Sequence, residues 1–218
     1  MRFSSLSLPR RMIDPVARTI TVTGARGGQG TSTVAAALAL FAAGRGPTTL
    51  VAADRRAMST LLGVPDQGDE RVVVTPTLTL AAATEAWIEP TLVRVIDAGT
   101  TTAGPPEPEE CERYVVVRGP CYLALASVLA ASGRTPDGVI LVAEEGRSLT
   151  ARDVAEVTGL AVVATVEAAP RVARSIDAGL LVARLPRLRE LADLRTLAAD
   201  PFTGRPRPSR RSPSSTLR

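Results

Sequence analysis

Apolar positions along the chain fall into short β-branched runs separated by stretches with helical spacing. Residues 19–23 (TITVT) are β-branched and run straight into glycines, the pattern of a strand entering a turn. Thr31–Ala43 (TSTVAAALALFAA) is an Ala/Leu segment closed by Gly44, which predicts a helix. The alternation then repeats. Strands are expected at 48–53, 92–96, 113–117, 138–143 and 160–166, and helices at 56–62, 122–131, 150–158, 171–177 and 187–198. Gly63 and Pro65 end the second helix, and Thr150 with Asp153 three residues on forms a capping pair for the fourth. Residues 72–74 and 78–80 are short apolar segments, and no internal repeat is visible. This order predicts an α/β fold: a doubly wound, mostly parallel sheet with helices on both faces, in three layers.

At 218 residues the chain suits one domain with tails, and it is long enough to bury a core without disulfide or metal staples. Aromatic residues make up only 3% of it, so the core is expected to be Ala, Val and Leu. Cys111 and Cys121 are too few for a disulfide framework or a zinc site and read as small core residues. No apolar run is long enough to span a membrane and the first residues lack a secretory apolar stretch, so a cytoplasmic protein is expected.

Charge changes this picture more than composition does. All 26 basic residues are arginine, and the chain contains neither lysine nor histidine. Schiff-base lysines, Ser-His-Asp and Cys-His pairs and histidine metal sites are therefore excluded. The charge is also unevenly placed. Residues 1–18 carry +3 and residues 205–218 carry +5, while the body holds 17 arginines against 21 acidic residues. The expected organisation is a basic N-terminal extension at 1–18, a domain at 19–200, and a disordered Pro/Ser/Arg-rich tail at 201–218. The tail suits nucleic acid or an acidic surface by phosphate-type contact alone, because it has no tyrosine or tryptophan on which bases would stack.

The densest chemical signal is TITVTGARGGQGTSTVAAALAL at 19–40, where a strand leads through Gly24, Gly27, Gly28 and Gly30 into a helix. Glycines allow positive φ and close backbone approach, and a helix N-terminus offers unpaired N–H groups and a positive dipole end, so phosphate binding follows. A tight strand-to-helix turn that binds nothing is the plain alternative.

Two families share features of this loop. Thr23, Gly24, Gly28 and Gly30 match the TGxxxGxG cofactor pattern of short-chain dehydrogenases, which would make the chain an NAD(P)-binding protein. That family requires a Tyr-xxx-Lys pair; here Tyr114 and Arg118 have the spacing, but in a VVV context that reads as a buried strand. The fuller resemblance is to the MinD/ParA family of P-loop ATPases. Arg26-Gly27-Gly28-Gln29-Gly30-Thr31-Ser32-Thr33 resembles its deviant Walker A motif KGGxGK[ST][ST]. The segment 49–65 (TLVAADRRAMSTLLGVP) is similar to the family's second strand, Asp-x-Asp segment and TTLLGVP helix. RVIDAG at 94–99 is similar to its switch II strand, and 148–185 to its closing helices.

The resemblance implies a P-loop fold, a homodimer, and ATP with Mg²⁺ held by Gly27, Gly28, Gln29, Gly30, Thr31, Ser32 and Thr33. Ser32 takes the magnesium-binding hydroxyl position, and Asp97 would hold the metal through water. Asp54 would orient or deprotonate the attacking water, a solvated acid being the alternative, while the first acid of that segment is replaced by Ala52. Arg26 stands where the family has the signature lysine that reaches across a dimer. The loop lysine itself is replaced by Thr31, and no Asn follows the strand GVILVA where the family often contacts adenine. A lost charge-assisted contact is worth about 1.5–3 kcal/mol. Loops of this kind resemble the CpaE/TadZ branch, which positions polar machinery. The expected function is a positioning or partition protein with weak or absent hydrolysis, acting through dimerisation and a protein partner. An active ATPase using Arg26 and a scaffold that binds no nucleotide are the alternatives. Leu188, Leu191, Leu194 and Leu197 form a stripe expected to face the core or a dimer partner rather than a membrane.

Overall fold

The β-branched run that precedes the glycines becomes the middle of a sheet, with Ile20 and Val22 buried on one face and Thr19 and Thr21 buried on the other. In a computed structural model, residues 18–65, 68, 71–82, 91–100, 111–130 and 135–199 are described. The N-terminal residues 1–17 and the tail from 201, with the contacts expected of them, lie outside the described residues.

The chain runs β1 (Arg18–Gly24), α1 (Thr31–Ala43), β2 (Thr48–Ala52), α2 (Arg55–Leu62), β3 (Val72–Thr75), β4 (Leu78–Ala82), β5 (Val93–Asp97), β6 (Glu112–Arg118), α3 (Tyr122–Ala130), β7 (Gly138–Ala143), α4 (Ala151–Thr158), β8 (Val162–Glu167), α5 (Pro170–Asp177), α6 (Leu181–Arg184) and α7 (Ala192–Ala199). The strands form one sheet in the order β3-β4-β2-β5-β1-β6-β7-β8, parallel throughout except for β3, which pairs antiparallel at the edge. The two short apolar segments are thus the two arms of an edge hairpin.

Residues Ile20, Val22, Tyr114, Val116, Ile140 and Val142 face one side of the sheet, where α1, α2 and α7 share a large core with them. Val115, Val117, Val139 and Leu141 face the other side, against α3 and α4. That alternation is the period of a strand buried on both faces. Helix α1 is buried nearly all round, with Val34 to Ala39 almost inaccessible. Its alanines let it sit between the sheet and α7. The core is Ala, Val and Leu, as the composition requires, with Tyr114 the one aromatic among the described core residues. Cys111 is buried, Cys121 is half-buried, and both are thiols.

Most boundaries follow the pattern, although α6 (Leu181–Arg184) is not among the expected helices and the last helix differs more. The capping box at Thr150 and Asp153 forms as expected. The helix expected over 187–198 is instead broken. Two 3₁₀ turns, Leu185–Arg187 and Arg189–Leu191, precede α7, and Leu188 between them is extended at φ −87° and ψ 92°. Leu188, Leu191, Leu194 and Leu197 are all buried in the core that α1 shares. Strict spacing by three drifts off an α-helical face, and a 3₁₀ stretch with three residues per turn returns it. The stripe therefore faces the core. No helix among the described residues is long and apolar enough to cross a membrane.

Arg18, one of the four arginines of the basic N-terminal stretch, is the first residue of β1. Its Nε and Nη2 donate to Glu112 at 2.6 and 2.7 Å, and Tyr114 donates its hydroxyl to the same carboxylate at 2.7 Å. Burial, and then the adjoining Glu112 carboxylate, push the Tyr114 phenol well above its ordinary value. An unfolded tyrosine ionises near pH ~10, whereas folded Tyr114 stays neutral there, so its stabilisation is present below that pH and is lost above it. Unfolding free energy is expected to fall by about 1.4 kcal/mol per pH unit above roughly pH 10 on account of this one proton. With no lysine in the chain, none titrates in that range. Denaturant titrations at pH 9 to 11 should show the slope in the wild type and a correspondingly smaller one in Tyr114→Phe; an equal slope in both would assign it elsewhere.

Candidate functional site

The loop between β1 and α1 is held from both sides by backbone. Gly24 N–H donates to Gly99 O at 2.7 Å and Ala25 N–H to Val116 O at 2.9 Å, while Ala98 N–H donates to Val22 O at 3.0 Å. A side chain adds a further tie: Gln29 Oε1 accepts from Arg118 N–H at 2.7 Å, fastening the middle of the loop to the end of β6. Gly28 and Gly30 have φ of 74° and 83°, so the loop's path requires residues that enter the left-handed region without cost. The space beside Gly27, Gly28 and Gly30 is open, and a Cβ on any of them would have no neighbour within 4 Å. Gly30 caps α1 without a side-chain hydrogen bond, so no side chain at that cap competes for the first N–H groups of the helix. This is the arrangement that receives an anion.

Thr31 is 6% exposed. Its hydroxyl lies over Gly24 so closely that a Cβ there would overlap it. No cation reaches the loop from this position. Ser32 and Thr33 are half-buried in the first turn of α1, and Arg26 is exposed on the loop.

Asp97 ends β5, 6% exposed, and its Oδ1 accepts from Gly99 N–H at 3.1 Å. In register it stands beside Val22 of β1 on one side and Ala52 of β2 on the other. The loop, Asp97 and the end of β2 therefore converge at the carboxyl edge of three adjacent strands, where open α/β sheets bind ligands. Asp54 lies two residues beyond Ala52 and is exposed. Its Oδ1 accepts from Ala57 N–H at 2.9 Å, so the carboxylate caps α2.

Two arginines and an acid at the same edge carried no signal as a sequence motif. Glu144, just past β7 in the stretch that lacks an Asn, accepts from Arg118 Nε at 2.8 Å and from Arg147 Nε and Nη2 at 2.9 and 2.6 Å. The Arg147 guanidinium, and then that of Arg118, hold its carboxyl below the ordinary value. The position of these residues just after strands was the available clue. Tyr114 and Arg118, which share the dehydrogenase spacing, lie on one strand about 13 Å apart along it. The phenol is bonded to Glu112 deep in the sheet, so they form no catalytic pair.

A groove of about 510 Å³ lies away from this edge, beside the C-terminal end of α1, with Phe41, Arg45, Thr77, Leu185 and Arg195 among its walls. A helix of that length puts it about 20 Å from the loop, so it belongs to no part of the glycine site.

No protein-family model matches the sequence, and no curated protein matches it. Solved structures do. A chain of a MinC:MinD cell division protein complex from Aquifex aeolicus superposes with a TM-score of 0.67 at 16% identity, over 89% of this chain and 99% of that one. The septum site-determining protein MinD with Mg-ADP from Pyrococcus horikoshii gives 0.66 at 18% identity, covering 83% and 94%. A ParA family ATPase from Chlorobium tepidum gives 0.61 at 16% identity, covering 84% and 98%. The chain has the MinD/ParA-like P-loop fold.

In this chain the glycine loop occupies the turn between β1 and α1. The groups present fit a phosphate ligand in part. The open left-handed glycines, the uncapped helix N-terminus, Ser32 and Asp97 suit an anion and a magnesium ion. The chain has no lysine to clamp the anion, and Thr31 is uncharged.

Proposed function

We propose that this chain is a MinD/ParA-like positioning or partition protein that binds nucleotide at residues 26–33 with little or no hydrolysis, and acts as a homodimer through a protein partner. The observation that carries this reading is the loop itself: its glycines keep the open, phosphate-receiving geometry, while Thr31 turns its short side chain onto Gly24. Backbone N–H groups would hold the phosphates, and Ser32 with Asp97 would hold Mg²⁺, which supplies neutralisation of phosphate charge when bound. Hydrolysis needs clamping, metal and a positioned water together. The clamp is missing, and Asp54 is engaged in capping α2. The degenerate loop and its likeness to the CpaE/TadZ branch belong to this proposal, as does a cytoplasmic location.

Titration with ATP and ADP in the presence of Mg²⁺, followed by phosphate release, tests it. Micromolar ATP binding without turnover is expected. Thr31→Lys should tighten ATP by about ten- to a hundredfold, the value of one charge-assisted contact. Turnover that disappears in Arg26→Ala would replace this reading with an active ATPase in which Arg26 does the lysine's work. No binding at millimolar nucleotide, in the wild type or in Thr31→Lys, would leave a scaffold without nucleotide.

A further inference from the structure

The chain has no lysine or histidine, so any side-chain cation at the loop must be an arginine. Arg118 is tied to the loop by its own backbone, since its N–H donates to Gln29 Oε1 at 2.7 Å. It follows Tyr114 and Val116 by even steps along β6 and so shares their face, the face on which α1 packs. Glu144 is the first residue past β7, and β6 and β7 are paired with Arg118 beside Val142. Glu144 then collects both arginines, Arg118 on one carboxylate oxygen and Arg147 on the other. A Cβ at Gly119 would overlap that carboxylate, so the cluster is seated close against the backbone.

We infer that Arg118 and Arg147 are the cationic half of the phosphate site, and that Glu144 is an internal anion holding them until a ligand's phosphate takes its place. This rests on the nucleotide reading above and adds the source of its missing charge. Two guanidiniums share one carboxylate, so the three side chains together carry one net positive charge, and the backbone of Arg118 touches the loop. The side chains are 45% and 48% exposed for the arginines and 25% for Glu144, and ion pairs this open are weak and readily exchanged. Guanidinium groups match phosphate oxygens with paired donors, so a polyphosphate is a better partner than a single carboxylate. The ligand class is a nucleoside triphosphate bound chiefly by its phosphates.

The test is calorimetric titration of the full-length protein with Mg·ATP and, separately, with tripolyphosphate, at one fixed salt concentration. Arg118→Gln keeps the backbone N–H that holds Gln29, and melting curves matching the wild type would show that the variants fold. Glu144→Gln is expected to bind both ligands about three- to tenfold more tightly, and Arg118→Gln about tenfold more weakly. Arg147→Gln should weaken both in the same direction, and Arg118→Gln should abolish the gain of Glu144→Gln in the double variant. ATP binding in the wild type that stays within about twofold in Glu144→Gln and Arg118→Gln would overturn the inference and leave nucleotide binding intact. Effects on ATP but none on tripolyphosphate would place the arginines on the base or ribose and overturn the phosphate assignment. No binding of either ligand by the wild type or by Glu144→Gln would overturn both.

Discussion

Gly63→Ala is expected to destabilise the fold by about 3 kcal/mol or more, measured as a shift in denaturant midpoint at unchanged slope. Gly63 ends α2 in the left-handed region at φ 70°, and its N–H closes the helix by donating to the Ser59 and Thr60 carbonyls. An L-residue there costs about 1–2 kcal/mol in backbone conformation. The larger cost is steric. A Cβ on Gly63 would run into the carbonyl of Gly179, which itself turns at φ 64° between α5 and α6. Two glycines from segments 116 positions apart thus touch backbone to backbone, and neither can move aside as a side-chain tip would. Gly146→Ala separates the two contributions. Gly146 has φ 78° and open space beside it, so it should lose the conformational part alone, about 1–2 kcal/mol. Equal losses at both positions would mean that the backbone contact contributes nothing.

Glu112→Ala is expected to cost about 3–5 kcal/mol, because it breaks a buried ion pair rather than removing a neutral contact. The Arg18 and Glu112 side chains are each 8% exposed. The carboxylate accepts two guanidinium hydrogen bonds and the Tyr114 hydroxyl, so its loss removes three hydrogen bonds from a buried site. Arg18 also donates from Nη1 to Ala198 O at 3.1 Å, joining the start of β1 to the end of α7. Replacing the pair together, Arg18→Met with Glu112→Leu, should recover most of the loss, since well-packed apolar residues often match a buried ion pair. A double-mutant cycle over these variants measures the coupling directly. A loss below about 1 kcal/mol for Glu112→Ala would show that water reaches the site and screens it.

Both predictions concern residues whose importance the sequence expresses only indirectly. Gly63 lies in the LLGVP stretch and Gly179 in the DAGLL stretch, two of the segments that carry the family resemblance. Read singly, each is a helix-ending glycine. Their shared reason for being glycine is the contact between them, a relation between distant parts of the chain. Arg18 is similar. Charge counting assigns it to a basic extension, whereas its side chain is neutralised inside the sheet by a residue on β6.

The sequence by itself determined the order of the elements and the class of the fold, because strand and helix periods are local properties of apolar spacing. It also determined the glycine loop, since the need for positive φ at Gly28 and Gly30 is written into the residue type. The all-arginine composition set which cations the protein can use at all. Tertiary structure alone decided what those groups do. It broke the helix expected over 187–198, because burying four leucines spaced by three required 3₁₀ turns. It turned Thr31 onto Gly24 and tied Gln29 to Arg118. It also joined Arg118 at the end of β6 to Glu144 just past β7. A side chain's partner depends on strand order and register, which the chain fixes only once the whole sheet has closed.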